Sequence, residues 1–145
     1  MQVFLIGFEI SAICMTFCTE VIVSSILRIG IVGLGRLGKR HAENLSRKVQ
    51  GASLVAAASP VDLEREWAEK NFGIATYESL DELLDHSDAE IIWLVTPTSL
   101  HADQCIQVLE AGKHVFCEKP LALDVESCDR VIEIAKEHPK QRIMI

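Results

Sequence analysis

Residues 28–41 read RIGIVGLGRLGKRH, which is a short apolar strand, a Gly-x-Gly-x-x-Gly motif and a segment that can open a helix. The three glycines of the motif have separate functions. Gly33 allows the tight turn after the strand, and Gly35 has no Cβ to keep a pyrophosphate away from the backbone. Gly38 lets the helix pack closely on the sheet. The strand before the motif and the helix after it favour a dinucleotide-binding loop over a plain turn, because the free N–H groups of the first helical turn can bind a diphosphate.

Strand-like and helix-like segments alternate along the rest of the chain at βαβ spacing. The later predicted strands cover 54–58, 74–77, 90–95, 114–117 and 142–145, and the predicted helices cover 36–48, 62–71, 80–86, 99–111 and 125–138. Asp62, Ser79, Asp124 and either Thr98 or Ser99 are the expected helix caps. The alternation predicts the α/β class, a doubly wound parallel sheet with helices on both faces. Ligands of this fold bind beyond the carboxyl ends of the strands.

The composition indicates one domain with a substantial core. The chain has 145 residues, of which 49% are hydrophobic, and its formal net charge of −7 argues against a nucleic-acid partner. Its five cysteines show neither CxxC spacing nor histidines at ligand spacing. We therefore expect no metal site, and we interpret the cysteines as buried free thiols in a reducing cytoplasm.

Residues 1–26 differ from the rest of the chain. From Val3 to Leu27 the sequence is almost wholly apolar, with Glu9 and Glu20 but no Lys or Arg. The lack of a basic start argues against a secretory signal, and the two carboxylates argue against a transmembrane helix. The stretch is long enough to span a bilayer, so a membrane anchor stays an alternative. Our hypothesis is a misplaced start codon, with an extension over 1–26 and a nucleotide-binding domain over 27–145.

Ser59 ends the second predicted strand, 21 residues after Gly38. NAD-binding domains commonly place an acid there, on the hydroxyls of the adenosine ribose. Serine has no charge to repel a 2′-phosphate, yet no Arg or Lys follows at once, and Arg65 lies on the next helix. The residues therefore leave NAD and NADP both open, and a serine that only serves the turn is a further alternative.

Two more polar segments follow predicted strands. The segment 96–101 alone indicates a loop and a helix cap, with His101 on the surface of the helix. Glu118-Lys119-Pro120 places a lysine at the end of an interior strand, where it can hydrogen-bond a substrate hydroxyl and help to move its proton. A surface loop with a solvated ion pair is an equally good interpretation of that tripeptide.

Taken together, residues 29–38, the Thr96-Pro97 loop with His101, and Glu118-Lys119-Pro120 resemble the Gfo/Idh/MocA oxidoreductase family. The resemblance covers residues 27–145, and within the family the sequence looks most like the inositol dehydrogenases. It implies a Rossmann-type NAD(P)-binding domain, with NAD favoured over NADP, in an enzyme that oxidises a secondary hydroxyl of a cyclitol or sugar. Ser59 departs from the family's frequent Asp. The family's C-terminal substrate domain is missing, so we expect this fragment to be inactive.

The resemblance also implies the roles of individual residues. Lys119 matches the family's catalytic lysine. The implied cofactor-binding residues are Gly33, Gly35, Arg36, Leu37, Gly38, Ser59, Thr96, Pro97, Thr98, His101 and Glu118. We expect a cytoplasmic protein with a small polyol or sugar substrate, no membrane partner, and a homo-oligomer only where the C-terminal domain is present. The alternative is a stand-alone, non-catalytic NAD(P)-binding module, which has no need of a lysine beside the nicotinamide.

Overall fold

The computed structural model describes residues 26–145, along which six strands alternate with five helices. The strands are β1 (Leu27–Val32), β2 (Ala52–Ala58), β3 (Ala75–Tyr77), β4 (Ile91–Leu94), β5 (His114–Cys117) and β6 (Ile143–Met144). The helices are α1 (Arg36–Lys48), α2 (Asp62–Phe72), α3 (Leu80–His86), α4 (Thr98–Glu110) and α5 (Val125–Glu137). The predicted N-terminal extension, apart from Ile26, lies outside the described residues.

The strands form one parallel sheet in the order β3-β2-β1-β4-β5-β6. The chain runs outward from β1 to β3, then crosses to the other side of β1 and continues to β6. This confirms the predicted doubly wound α/β fold, with its switch point between β1 and β4. Val32 pairs with both Ala58 and Leu94, and Leu94 pairs with Cys117. The register therefore brings the ends of four strands, and the loops that follow them, to one edge.

Helices cover both faces of the sheet, which explains why its central strands are apolar throughout. On one face, Ile31 and Ala57 pack with Ala42 and Leu45 of α1 and with Ala68 of α2. The opposite face carries a larger cluster that joins the sheet to α3, α4 and α5. Burial on both faces holds the strand ends in fixed positions, as a rigid binding site requires.

Two of the four predicted caps are confirmed. The Ser79 side chain accepts a hydrogen bond from the backbone N–H of Glu82 at 3.2 Å. The side chain of Asp124 accepts one from the N–H of Ser127 at 2.7 Å.

The caps predicted for α2 and α4 are wrong. Val61 precedes α2 and Pro97 precedes α4, and neither helix has a side-chain cap. Asp62 is instead the first helical residue and pairs with Arg65 one turn along. Thr98 likewise lies inside its helix, because the fixed φ of Pro97 already starts the turn.

The prediction of free thiols is confirmed for Cys105 and Cys117, which are buried, while Cys128 is half-buried. The other two cysteines lie outside the described residues. The hydrogen bond with Cys117, followed by burial, raises the pKa of the Cys105 thiol. No helix between residues 26 and 145 combines the length and the apolar character that a membrane span needs.

Candidate functional site

The turn after β1 requires glycine at Gly33. Its φ is +92°, and a Cβ there would lie 2.7 Å from the carbonyl oxygen of Val95. The Gly33 N–H donates to the carbonyl of Ala58 at 2.9 Å, which ties the turn to the end of β2. The loop is therefore held against both neighbouring strand ends.

The other two glycines of the motif have opposite surroundings. A Cβ on Gly38 would lie 1.8 Å from the Gly33 carbonyl oxygen, so α1 touches the turn at this point. A Cβ on Gly35 would meet nothing within 4 Å. Gly35 is the N-cap of α1 without a side-chain hydrogen bond, and the first turn of α1 has no acidic residue. The start of α1 thus faces open space and has no competing negative charge, which suits an anion.

A cavity of about 820 Å³ lies over the carboxyl ends of the strands. It is lined by residues from the glycine loop and from the segments that follow β2, β3, β4 and β5. All twelve predicted site residues are among them: Gly33, Gly35, Arg36, Leu37, Gly38, Ser59, Thr96, Pro97, Thr98, His101, Glu118 and Lys119. The structure therefore brings residues up to 86 positions apart into one site. The contact of each with a cofactor stays a prediction.

At one end of the cavity, the hydroxyl of Ser59 is already engaged. Ser59 is 2% exposed, its Oγ donates to Oε2 of Glu64 at 2.6 Å, and it accepts from the N–H of Val61 at 3.2 Å. Glu64 also lines the cavity and was missed by the sequence analysis. The signal that could have identified it is its place in the first turn of α2, beside the end of β2.

The side chain of Arg65 also contacts the residue at the end of β2. Its Nη1 donates to the carbonyl of Ser59 at 2.6 Å, and its Nη2 lies 2.5 Å from Oδ1 of Asp62 and 3.5 Å from Oε1 of Glu78. Arg65 lies on the helix after this strand and is not among the predicted site residues. The structure places its guanidinium at the candidate ribose site, but already paired with two carboxylates.

The prediction that His101 lies on the helix surface is wrong, since His101 is 1% exposed. Its Nε2 lies 2.8 Å from the carbonyl oxygen of Thr96, and its Nδ1 lies 2.8 Å from that of Pro120. The ring therefore joins the loop after β4 to the loop after β5. Gln104, one turn further along α4, accepts a hydrogen bond from the Thr96 hydroxyl at 2.5 Å and was also missed.

The side chains of Glu118 and Lys119, which follow β5, have different surroundings. Oε1 of Glu118 lies 2.8 Å from Nε2 of His41 on α1, although the ring N–H is not aimed at it as a directed hydrogen bond. The His41 ring packs on Trp93, 4.6 Å away between centroids. Lys119 is exposed and makes no ion pair within residues 26–145. The Glu118–Lys119 ion pair of the surface-loop interpretation is therefore absent from this part of the chain.

The family described as an oxidoreductase family with an NAD-binding Rossmann fold matches residues 27–145. This chain belongs to the Gfo/Idh/MocA oxidoreductase family. The predicted resemblance is thus confirmed over the whole range that the sequence analysis gave it.

The relatives include several inositol dehydrogenases. Inositol 2-dehydrogenase of Salmonella typhimurium is 34% identical over 121 residues, which are 82% of this chain and 36% of that protein. The scyllo-inositol 2-dehydrogenase (NAD(+)) of Bacillus subtilis is 39% identical over 112 residues, which are 77% of this chain and 33% of that protein. The chain therefore spans about a third of the length of these family members.

A solved structure of the family has the same fold as this chain. The scyllo-inositol dehydrogenase of Lactobacillus casei, with bound NAD(H) and scyllo-inositol, superposes with a TM-score of 0.80 at 40% sequence identity. The match covers 83% of this chain and 36% of that one. The described residues are thus an NAD-binding Rossmann domain of the Gfo/Idh/MocA family, similar to that of the inositol dehydrogenases.

Proposed function

We propose that this chain is the cofactor-binding portion of an NAD-dependent oxidoreductase that oxidises a secondary hydroxyl of a cyclitol or sugar. The observation that carries the proposal is the cavity of about 820 Å³, which has the uncapped start of α1 and Lys119 in its wall. The similarity to inositol dehydrogenases over 82% of the chain supports the choice of a polyol substrate.

The residues of the cavity fit a dinucleotide. The open space at Gly35 and the unpaired N–H groups at the start of α1 suit the diphosphate, with Arg36 and Leu37 beside it. The end that Ser59 and Glu64 form suits the adenosine ribose. The loop of Thr96, Pro97 and Thr98, the buried His101 and the carboxylate of Glu118 line the remaining length towards Lys119.

When bound, the cofactor supplies a nicotinamide ring that accepts hydride from the carbon bearing the hydroxyl. Nζ of Lys119 would hydrogen-bond the oxygen of that hydroxyl and assist the departure of its proton. His101 would keep the loop that carries Lys119 at a fixed distance from the Thr96 loop. Glu118 is turned towards His41, so its carboxylate does not neutralise the lysine.

The exposure of Lys119 favours a second candidate function, a stand-alone NAD(P)-binding module without catalysis. Residues 26–145 do not enclose a substrate against this lysine, and hydride transfer needs a site from which water is excluded. On either account we expect the 145-residue chain by itself to bind cofactor and to leave polyols unoxidised. We further propose a cytoplasmic location and self-association only together with a substrate domain.

The test is a titration of the 145-residue chain with NADH, followed by cofactor fluorescence, and a turnover assay with NAD and myo-inositol, scyllo-inositol or glucose. We expect saturable binding that Gly35→Val abolishes, because its side chain would fill the space at the start of α1. Lys119→Ala should bind NADH as the wild type does. No binding by the wild type, or unchanged binding by Gly35→Val, would refute the proposed function. Turnover by the wild type alone would refute the expected inactivity.

A further inference from the structure

The acidic group at the ribose end of the cavity comes from a helix and not from the end of β2. Ser59 occupies the strand end, but its hydroxyl proton is already donated to Glu64 at 2.6 Å. Ser59 is also 2% exposed, so it offers a ligand little of its own surface. Among residues 26–145, the second oxygen of the Glu64 carboxylate, Oε1, has no hydrogen-bond partner. Glu64 therefore presents a free carboxylate oxygen to the cavity beside Ser59.

The position of Glu64 is well defined by its neighbours. Glu64 is the third residue of α2, where the helix dipole favours a negative charge. Its N–H donates to the carbonyl of Val61 at 3.0 Å, and the Ser59 hydroxyl holds one carboxylate oxygen. The side chain is half-buried. A carboxylate held in this way can accept hydrogen bonds from the two adjacent hydroxyls of a ribose.

Arg65, the residue after Glu64, already has hydrogen-bond and ion-pair partners. The side chain of Arg65 is 15% exposed, and it is bound to Asp62, Glu78 and the carbonyl of Ser59. Glu78 and Asp81 also line the cavity and add further negative charge to its wall. A dianionic phosphate beside Glu64 would therefore meet like charge.

We propose that Glu64 is the residue that selects a cofactor with a free ribose 2′-hydroxyl, and that Ser59 is the positioning residue that holds it. This inference rests on the proposed function, since it concerns the same cavity. It assigns the cofactor discrimination of this chain to a residue of α2, five positions beyond the strand end.

The experiment measures dissociation constants of NADH and NADPH by titration calorimetry at low salt, on the full chain and three variants. A second pair of probes, 5′-AMP and adenosine 2′,5′-bisphosphate, repeats the comparison on the adenosine half alone. Glu64→Gln removes the charge and keeps an oxygen that can accept from Ser59. The matched control is Glu66→Gln, which removes the same charge from an exposed position of the same helix that does not line the cavity. Ser59→Ala releases Glu64 without changing the charge.

We expect the wild type to prefer NADH. Glu64→Gln should reduce the ratio of the NADPH dissociation constant to the NADH dissociation constant by about 10-fold or more. Glu66→Gln should leave the ratio unchanged, and Ser59→Ala should lower it by a smaller factor. A purely structural role of Ser59 would weaken both cofactors equally. A wild type that binds both equally, or a Glu64→Gln variant with the wild-type ratio, overturns the inference while the proposed function stands. If neither cofactor binds, the proposed function fails and the inference with it.

Discussion

The substitutions Gly38→Ala and Gly35→Ala should separate the folding role of the glycine loop from its binding role. The two residues lie three positions apart at the start of α1 and would gain the same single carbon. A Cβ on Gly38 would lie 1.8 Å from the carbonyl oxygen of Gly33, whereas one on Gly35 would have no neighbour within 4 Å. We therefore expect Gly38→Ala to destabilise the fold and Gly35→Ala to leave it nearly intact.

The size of the Gly38 effect follows from the movement that the clash demands. Cβ atoms essentially never come within 3.0 Å of such an oxygen, so α1 and the turn must separate by roughly 1.2 Å. This displacement would pull the buried Ala42 and Leu45 away from the sheet, and a gap of that size loses a large share of their dispersion contacts. We expect a loss of about 3 kcal/mol, or a fall in Tm of about 10 °C for a domain of this size.

Gly35→Ala should change stability by less than about 1 kcal/mol. The Gly35 φ of −63° and ψ of −170° are accessible to alanine. Its added methyl faces the space assigned to the diphosphate, so we expect NADH to bind about 10-fold more weakly. Thermal unfolding by circular dichroism measures the first effect, and NADH titration measures the second. A Gly38→Ala variant that unfolds at the wild-type temperature, or a Gly35→Ala variant that loses as much stability, would refute this reasoning.

Three further predictions concern the stability and reactivity of the domain. His101→Phe removes the polar contacts by which the ring joins the loops after β4 and β5 and should cost about 2 kcal/mol or more, and an unchanged Tm would contradict this role. The hydrogen bonds at the start of α5 lower the pKa of Asp124, so its stabilising effect is present above its ordinary pKa of 3.8 and is lost as the pH falls through the lowered value. Asp124→Ala should accordingly reduce Tm at neutral pH and lose its effect in acid, and a pH-independent difference would count against this origin. A thiol reagent should modify Cys128 well before Cys105 or Cys117 in the folded protein, and peptide mapping that finds the buried pair modified first would contradict the burial.

The sheet and helices could be predicted because their signals are local in the chain. The predicted bounds of α1 agree with the structure residue for residue, since the glycine motif marks its start and the apolar spacing marks its buried face. The parallel, doubly wound sheet followed from the βαβ alternation, because parallel strands need crossover connections of one hand. The caps of α2 and α4 were mistaken because capping depends on which partner a side chain finds. Asp62 finds Arg65, and Thr98 follows a proline that already starts the turn.

The sequence predicted which backbone segments form the site. It did not predict which partners the side chains of the site contact. Glycines mark where the chain turns or approaches closely, and a lysine at a strand end necessarily lies on the cavity rim of this fold. The contact of Glu118 with His41 joins residues 77 positions apart and depends on how α1 packs on the sheet. No spacing along the chain expresses that packing. The burial of His101 between two loops has the same origin.

The unpredicted contacts of Glu64 and His101 nevertheless share one geometric cause. Every Cα–Cβ bond of a helix tilts towards its N-terminus, so residues of the first turn project back towards the preceding strand end. Glu64 on α2 returns to Ser59, and His101 on α4 returns to Thr96, in both cases across five positions. In a doubly wound fold that strand end is the ligand site. The functional groups at each strand end therefore come from two sources, the residue that follows the strand and a first-turn side chain of the next helix. Ser59 considered alone leaves the choice of cofactor open, whereas Ser59 with Glu64 presents the carboxylate that a ribose with a free 2′-hydroxyl requires.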